Sequence, residues 1–184
     1  MSRDPIETIT LRRGDYRAEI LTLGATLRRL VVPGGVNVVL GYADLADYLG
    51  PPRFYGSVAG RYANRIGSAR FTLDGTEYRL AANDGANSLH SGPHGFDQQV
   101  WTVTARSDEA VTLAHVSPDG TNGFPGTLRA EIAYALEEDG VAIAFTATAD
   151  RPTVVNLTHH AYFNLAGGGQ VLDHWLQLPA SAYT

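Results

Sequence analysis

An all-β fold, a large antiparallel β-sandwich, is what this sequence predicts, and three observations predict it. Apolar residues recur over much of the chain with a period of two, the spacing that turns one face of a strand toward a core. Turn pairs such as Asp74-Gly75 and Asp139-Gly140 punctuate these runs, because glycine takes a positive φ at no steric cost. No alternation of strand and helix patterns occurs, and a parallel doubly wound sheet would need one.

The elements follow in order. The first forty residues carry short strands around Gly14-Asp15, Gly24 and Pro33-Gly34-Gly35. Residues 44–49 read as one helical turn with Asp44 as N-cap. Residues 71–73 and 78–80 flank Asp74-Gly75 as a hairpin, and 100–105 and 110–116 make a second pair around Ser107-Asp108. In 127–137, Leu128, Ile132, Tyr134 and Leu136 share one side with the small Ala130, while Arg129, Glu131 and Glu137 share the other. After Asp139-Gly140, Val141, Ile143, Phe145 and Ala147 repeat the alternation on the return strand. Residues 155–165 read as a further strand, unusually polar. Gly167-Gly168-Gly169 is a loop and not a linker, since composition does not change across it. Residues 1–184 are expected to form one domain, which ends like a strand entering a loop.

Composition removes whole classes of chemistry. The chain of 184 residues has no Cys, which excludes a thiolate nucleophile, Cys-ligated zinc, iron–sulfur clusters and disulfides. Every basic residue is Arg, so neither a lysine Schiff base nor a phosphate-binding P-loop lysine is available. Formal net charge is −5 with no basic block, so nucleic acid is not an expected partner. No apolar run reaches the length of a signal or a membrane span, so a cytoplasmic protein without membrane partners is expected. The remaining chemistry belongs to His, carboxylates, hydroxyls and Arg.

Three segments depart from the strand pattern. Residues 60–66, Gly-Arg-Tyr-Ala-Asn-Arg-Ile, put two guanidinium forks and a carboxamide together. Such groups fit surface ion pairs, loop anchoring or recognition of vicinal sugar hydroxyls. Residues 83–95 form a long polar loop with His90 and His94. Their spacing of four suits a metal only on a helix, which Gly92-Pro93 prevents, so no metal is expected. In 155–165, His159 and His160 are adjacent. On a strand they face opposite sides, so one can enter a cleft while the other meets a core or solvent. His115, His174, Trp101 and Trp175 read as structural residues, the tryptophans in core or rim packing.

Together these segments resemble the aldose 1-epimerase (galactose mutarotase) family. The resemblance rests on 60–66, on Asn87-Ser88-Leu89-His90 with Gly92-Pro93 and Gly95-Phe96-Asp97, and on Ser117-Pro118-Asp119-Gly120 with Gly123-Phe124-Pro125-Gly126. It extends to Asn156-Leu157-Thr158, His160, Tyr162-Phe163-Asn164-Leu165 and Ala182-Tyr183-Thr184. It implies a mutarotase-like sandwich that interconverts the α and β anomers of free aldoses, with a monosaccharide as partner and no cofactor. By resemblance His160 is the proton donor at the ring oxygen and His90 the second active-site histidine. Arg65 and Asn64 are implied as sugar-binding residues. The family's general-base glutamate and a sugar-binding aspartate match nothing in this sequence. The expectation is therefore an N-terminal portion of a longer family member, weak or inactive alone. Other departures are His159 where Asn is commoner, Ser91 in place of Gly, and His94 in an often basic slot. A sandwich that binds carbohydrate without turnover is the alternative. A glycosidase ranks lower, because it usually needs two facing carboxylates.

Overall fold

The computed structural model describes residues 5–50 and 54–182. In chain order its strands are β1 (Thr8–Arg13), β2 (Tyr16–Leu21), β3 (Thr26–Val31), β4 (Val58–Ala59), β5 (Arg65–Ile66), β6 (Arg70–Leu73) and β7 (Thr76–Arg79). They continue as β8 (Ser88–Leu89), β9 (Thr102–Arg106), β10 (Ala110–Ser117), β11 (Leu128–Leu136), β12 (Val141–Ala149) and β13 (Thr158–His159). A meander in the order β1-β2-β3 forms a three-stranded sheet, β12-β11-β10-β9 forms a four-stranded one, and β13-β4, β5-β8 and β6-β7 pair as separate two-stranded ladders. The hairpins expected at Asp74-Gly75 and Asp139-Gly140 are present, pairing Phe71 with Tyr78 and Leu136 with Val141.

Alternation decides which faces meet. On β11, Leu128, Ala130, Ile132, Tyr134 and Leu136 are all buried, whereas Arg129 is exposed. They share one core with Ile9 and Leu11 of β1, Ala18 and Ile20 of β2 and Leu27 of β3. Two antiparallel sheets packed face to face make a sandwich. Full burial of each large aliphatic side chain contributes about 1.5–3 kcal/mol. The Tyr134 hydroxyl donates to the Ala25 carbonyl at 2.6 Å, so the one polar atom this core residue brings is satisfied by the opposite layer. A smaller cluster of Ala69, Leu80 and Phe124 lies beside the β6–β7 hairpin, with Tyr62 and Phe71 against it.

Some local expectations change. Asp44 precedes a 3₁₀ turn at Leu45–Leu49, but its side chain makes no capping bond. Residues 155–165 do not form one long strand. Only β13 pairs regularly, while Asn156 bridges to Tyr62 and Phe163 to Val39, so the segment crosses several partners in turn. Trp101 is buried, its indole N–H donating to the Phe96 carbonyl at 3.1 Å. Trp175 is wholly exposed, contrary to the packing expected for it, because the main chain around it belongs to none of the strands. His115 packs against Phe96 and Trp101, a structural position as expected. Of the terminal motif Ala182-Tyr183-Thr184, the last two residues lie outside the described residues. Among the described residues no helix is long and apolar enough to cross a membrane.

Candidate active site

β13 runs antiparallel to β4, with Thr158 opposite Ala59 and His159 opposite Val58. The pairing continues one residue further: His160 N–H donates to the Ser57 carbonyl at 2.8 Å, and Gly56 N–H to the His160 carbonyl at 3.0 Å. Gly56 has φ +68°, and a Cβ there would run into the Leu27 carbonyl, so this docking requires glycine. Strand alternation then separates the two imidazoles. His159 turns toward Tyr134, ring centroids 5.7 Å apart. Burial, and to a smaller degree the neighbouring His160, pushes its pKa down to about 4. His160 turns the other way, stacking 5.6 Å from Phe54 and lying 5.1 Å from Tyr162.

The second histidine comes from a different pair of strands. β5 and β8 place Arg65 opposite Leu89 and Ile66 opposite Ser88. The Asn83 carboxamide extends this short ladder as a surrogate strand, accepting from Leu89 N–H at 2.7 Å and donating to the Leu89 carbonyl at 3.0 Å. Beyond the ladder, His90 N–H donates to the Asn64 carbonyl at 3.0 Å, and Asn64 N–H donates to His90 Nδ1 at 3.0 Å. The Ser91 hydroxyl accepts from Tyr62 N–H at 2.6 Å and donates to the Tyr62 carbonyl at 3.2 Å. His90 and Ser91 both take positive φ, 50° and 73°, a strained turn held by these cross-links. Burial first, then the charges of His160 and Arg65, push the His90 pKa down to about 4.

These segments enclose an open cleft of about 660 Å³, inside the roughly 300–1,000 Å³ usual for small-molecule sites. His90 and His160 meet in it edge to face, and Phe54 touches both rings, its centroid 4.6 Å from that of His90. Arg65 and Asn64 line the same cleft, with Asn156 and Thr158 adding hydroxyl and amide groups. Arg65 Nε donates to Asp84 Oδ2 at 2.7 Å in a pair about half exposed, which orients the guanidinium more than it stabilises the fold. Asn64 stands at φ +65°, its Oδ1 accepting from Arg65 N–H at 2.9 Å. All four residues singled out from the sequence thus border one cavity. Among the described residues, none lining it is a carboxylate.

Sequence reasoning assigned no role to Phe54 or Asp97, and for the arginines of 60–66 it left loop anchoring and ligand recognition both open. Phe54, the aromatic ring that contacts both histidines, belongs to no motif. Arg61 is buried rather than presented to a ligand. Its guanidinium donates to the carbonyls of Ser117, Pro118, Pro125 and Gly126 and to the Ser117 hydroxyl, at 2.8 to 3.2 Å. It therefore anchors the 117–126 loop beneath the site. Asp97 is buried with its carboxylate accepting from Gln98 at 2.6 Å, and burial pushes its pKa up. For Phe54 no local signal exists. For Arg61 the signal was the motif 60–66 itself, which does not say which arginine turns inward.

A family model described as aldose 1-epimerase matches residues 7–184 of this chain. The chain belongs to the aldose 1-epimerase family. Its relatives include a galactose mutarotase from Sus scrofa, 41% identical over 184 residues, and an aldose 1-epimerase from Escherichia coli strain K12, 40% identical over 186. Each alignment covers 97% of this chain and 54% of the relative, so the chain spans about half the length of the curated relatives it matches. Solved structures of the family superpose closely. An aldose epimerase homologue from C. elegans gives a TM-score of 0.85 at 30% identity, covering 89% of this chain and 52% of that one. A galactose 1-epimerase from Lactobacillus acidophilus gives 0.82 at 30% identity, covering 91% and 51%. The fold is thus the mutarotase-like antiparallel sandwich of the aldose 1-epimerase family.

Proposed function

We propose that the cleft binds a free aldose and that its histidines take part in opening the sugar ring between α and β anomers. The observation that carries this reading is the edge-to-face pair of His90 and His160 in a cleft also lined by Arg65 and Asn64. Anomerisation needs a proton delivered to the ring oxygen and another removed from the C1 hydroxyl; the aldehyde then rotates and recloses. Each positioned acid or base contributes on the order of 10²–10⁴ in rate. His160 delivers the ring-oxygen proton, His90 helps hold the ring oxygen and hydroxyls, and Arg65 and Asn64 take hydroxyls. The base, a glutamate in the family by resemblance, has no counterpart among the described lining residues. This chain alone is therefore expected to bind sugar weakly and to catalyse poorly. Polarimetry of freshly dissolved α-D-galactose tests this. Slight or no acceleration fits the reading, whereas vigorous acceleration lost in His160→Asn would show that the carboxylate is dispensable.

That no carboxylate stands among the described lining residues also favours a second reading, a sandwich that holds carbohydrate without turnover. Saturable sugar binding by calorimetry with no anomerisation, even after a relative's remaining half is added, would support it.

A further inference from the structure

We propose that the main-chain N–H of Asn64 locks His90 in one tautomer, with Nδ1 bare and the proton on Nε2, making His90 a fixed neutral hydrogen-bond donor to the cleft. The argument is one of donors and acceptors. A backbone N–H can only donate, so His90 Nδ1, 3.0 Å from Asn64 N, must offer its lone pair. A neutral imidazole with Nδ1 bare carries its proton on Nε2. Both other forms, the Nδ1–H tautomer and the imidazolium, would set two N–H donors against each other at this distance.

The lock is doubly built. His90 N–H returns a bond to the Asn64 carbonyl, which holds the two main chains together, and a ring flip would break the Asn64 N–H bond to Nδ1. No side-chain substitution at position 64 removes the donor, and proline cannot adopt φ +65°. The groups facing the ring act in the same sense: His160 and Arg65 both oppose a positive charge there, and Phe54 offers no counter-charge. His160 is held differently, by ring packing against Phe54 and Tyr162. The two histidines are therefore not interchangeable. His90 donates without giving up its proton, and any transferable proton belongs to His160.

The tautomer stands apart from the proposed sugar chemistry, which it deepens, and it can be read without sugar. Long-range 1H–15N correlation spectra of the uniformly 15N-labelled chain at pH 7, assigned with His90→Asn, report it directly. The expected pattern is a bare Nδ1 and a protonated Nε2 in slow exchange, unchanged in Asn64→Gly, which keeps both the N–H and the positive φ. A protonated Nδ1, a mixture of tautomers, or a pattern that shifts in Asn64→Gly would overturn the proposal. In His90→Asn the Oδ1 can still accept from Asn64 N–H, but nothing reaches the cleft from the Nε2 position. Galactose affinity should then fall roughly tenfold, as for one lost hydrogen bond. If the sugar never binds while the tautomer pattern holds, the proposed function fails and the lock stands.

Discussion

The rings of His90 and His160 meet at a centroid distance of 5.3 Å and an interplanar angle of 84°, although each is carried by a different two-stranded ladder. β13 on β4 delivers one, and the end of β5 on β8 delivers the other. Each ladder is only two residues long, so the site depends on the anchors around it.

Arg65 is the anchor with least structural duty. Its pair with Asp84 is about half exposed and is worth under about 1 kcal/mol. A guanidinium bond to a hydroxyl is worth about 1.5–3 kcal/mol. Arg65→Ala should weaken galactose binding by roughly tenfold or more while the urea midpoint barely moves. A large stability loss with intact binding would reverse the assignment.

Arg61 behaves oppositely. Truncating it removes the guanidinium donor from the buried carbonyls of Ser117, Pro125 and Gly126 and from the Ser117 hydroxyl. Arg61→Ala should cost more than about 3 kcal/mol, given about 1–3 kcal/mol per orphaned buried group. Arg61→Lys should not restore it, because an ammonium lacks the planar fork. Urea unfolding of both variants measures this, and wild-type stability in Arg61→Lys would refute it.

The contrast between these two arginines shows how far the sequence could be read. The β11–β12 hairpin was legible because alternation and turn lie within one contiguous stretch. The opposite orientations of His159 and His160 were legible because strand geometry alone imposes them. Arg61 and Arg65 have the same local grammar, and only the distant 117–126 loop turns one of them inward. The strand expected over 155–165 shortened for a similar reason: its partners, Tyr62, β4 and Val39, come from separate places. Phe54 joins the cleft by tertiary placement alone.

Ser91 ties the segment that follows His90 to the one that precedes Asn64. Its hydroxyl serves both polar groups of Tyr62, and its side chain is buried. Ser91→Ala should cost about 1–3 kcal/mol by stranding Tyr62 N–H. Ser91→Gly loses the same bonds but relieves the positive φ, so it should cost less. A thermal melt that ranks alanine at or above glycine would contradict this.

Three histidines, one buried and two partly buried, make stability depend on acid. His90, His115 and His159 each have a folded pKa pushed down to about 4, chiefly by burial. In the unfolded chain histidine titrates near about 6.5. Between these values the unfolded chain holds more protons, so stability is full above about pH 6.5 and falls as pH drops toward 4. Each histidine adds a slope of up to about 1.4 kcal/mol per pH unit. Urea unfolding at pH 7 and pH 5 should show this loss, and His115→Phe should reduce it by about a third, one histidine of three. Equal stability at the two pH values would mean these imidazoles are not held neutral.

The most direct measurement is a titration of the 15N-labelled chain with D-galactose, followed through its histidine ring signals. His90 and His160 should shift together and saturate at one common affinity, while His115, packed between Phe96 and Trp101, stays still. Rings at positions 90 and 160 that ignore the sugar, or that move no more than His115, would contradict a sugar site between them.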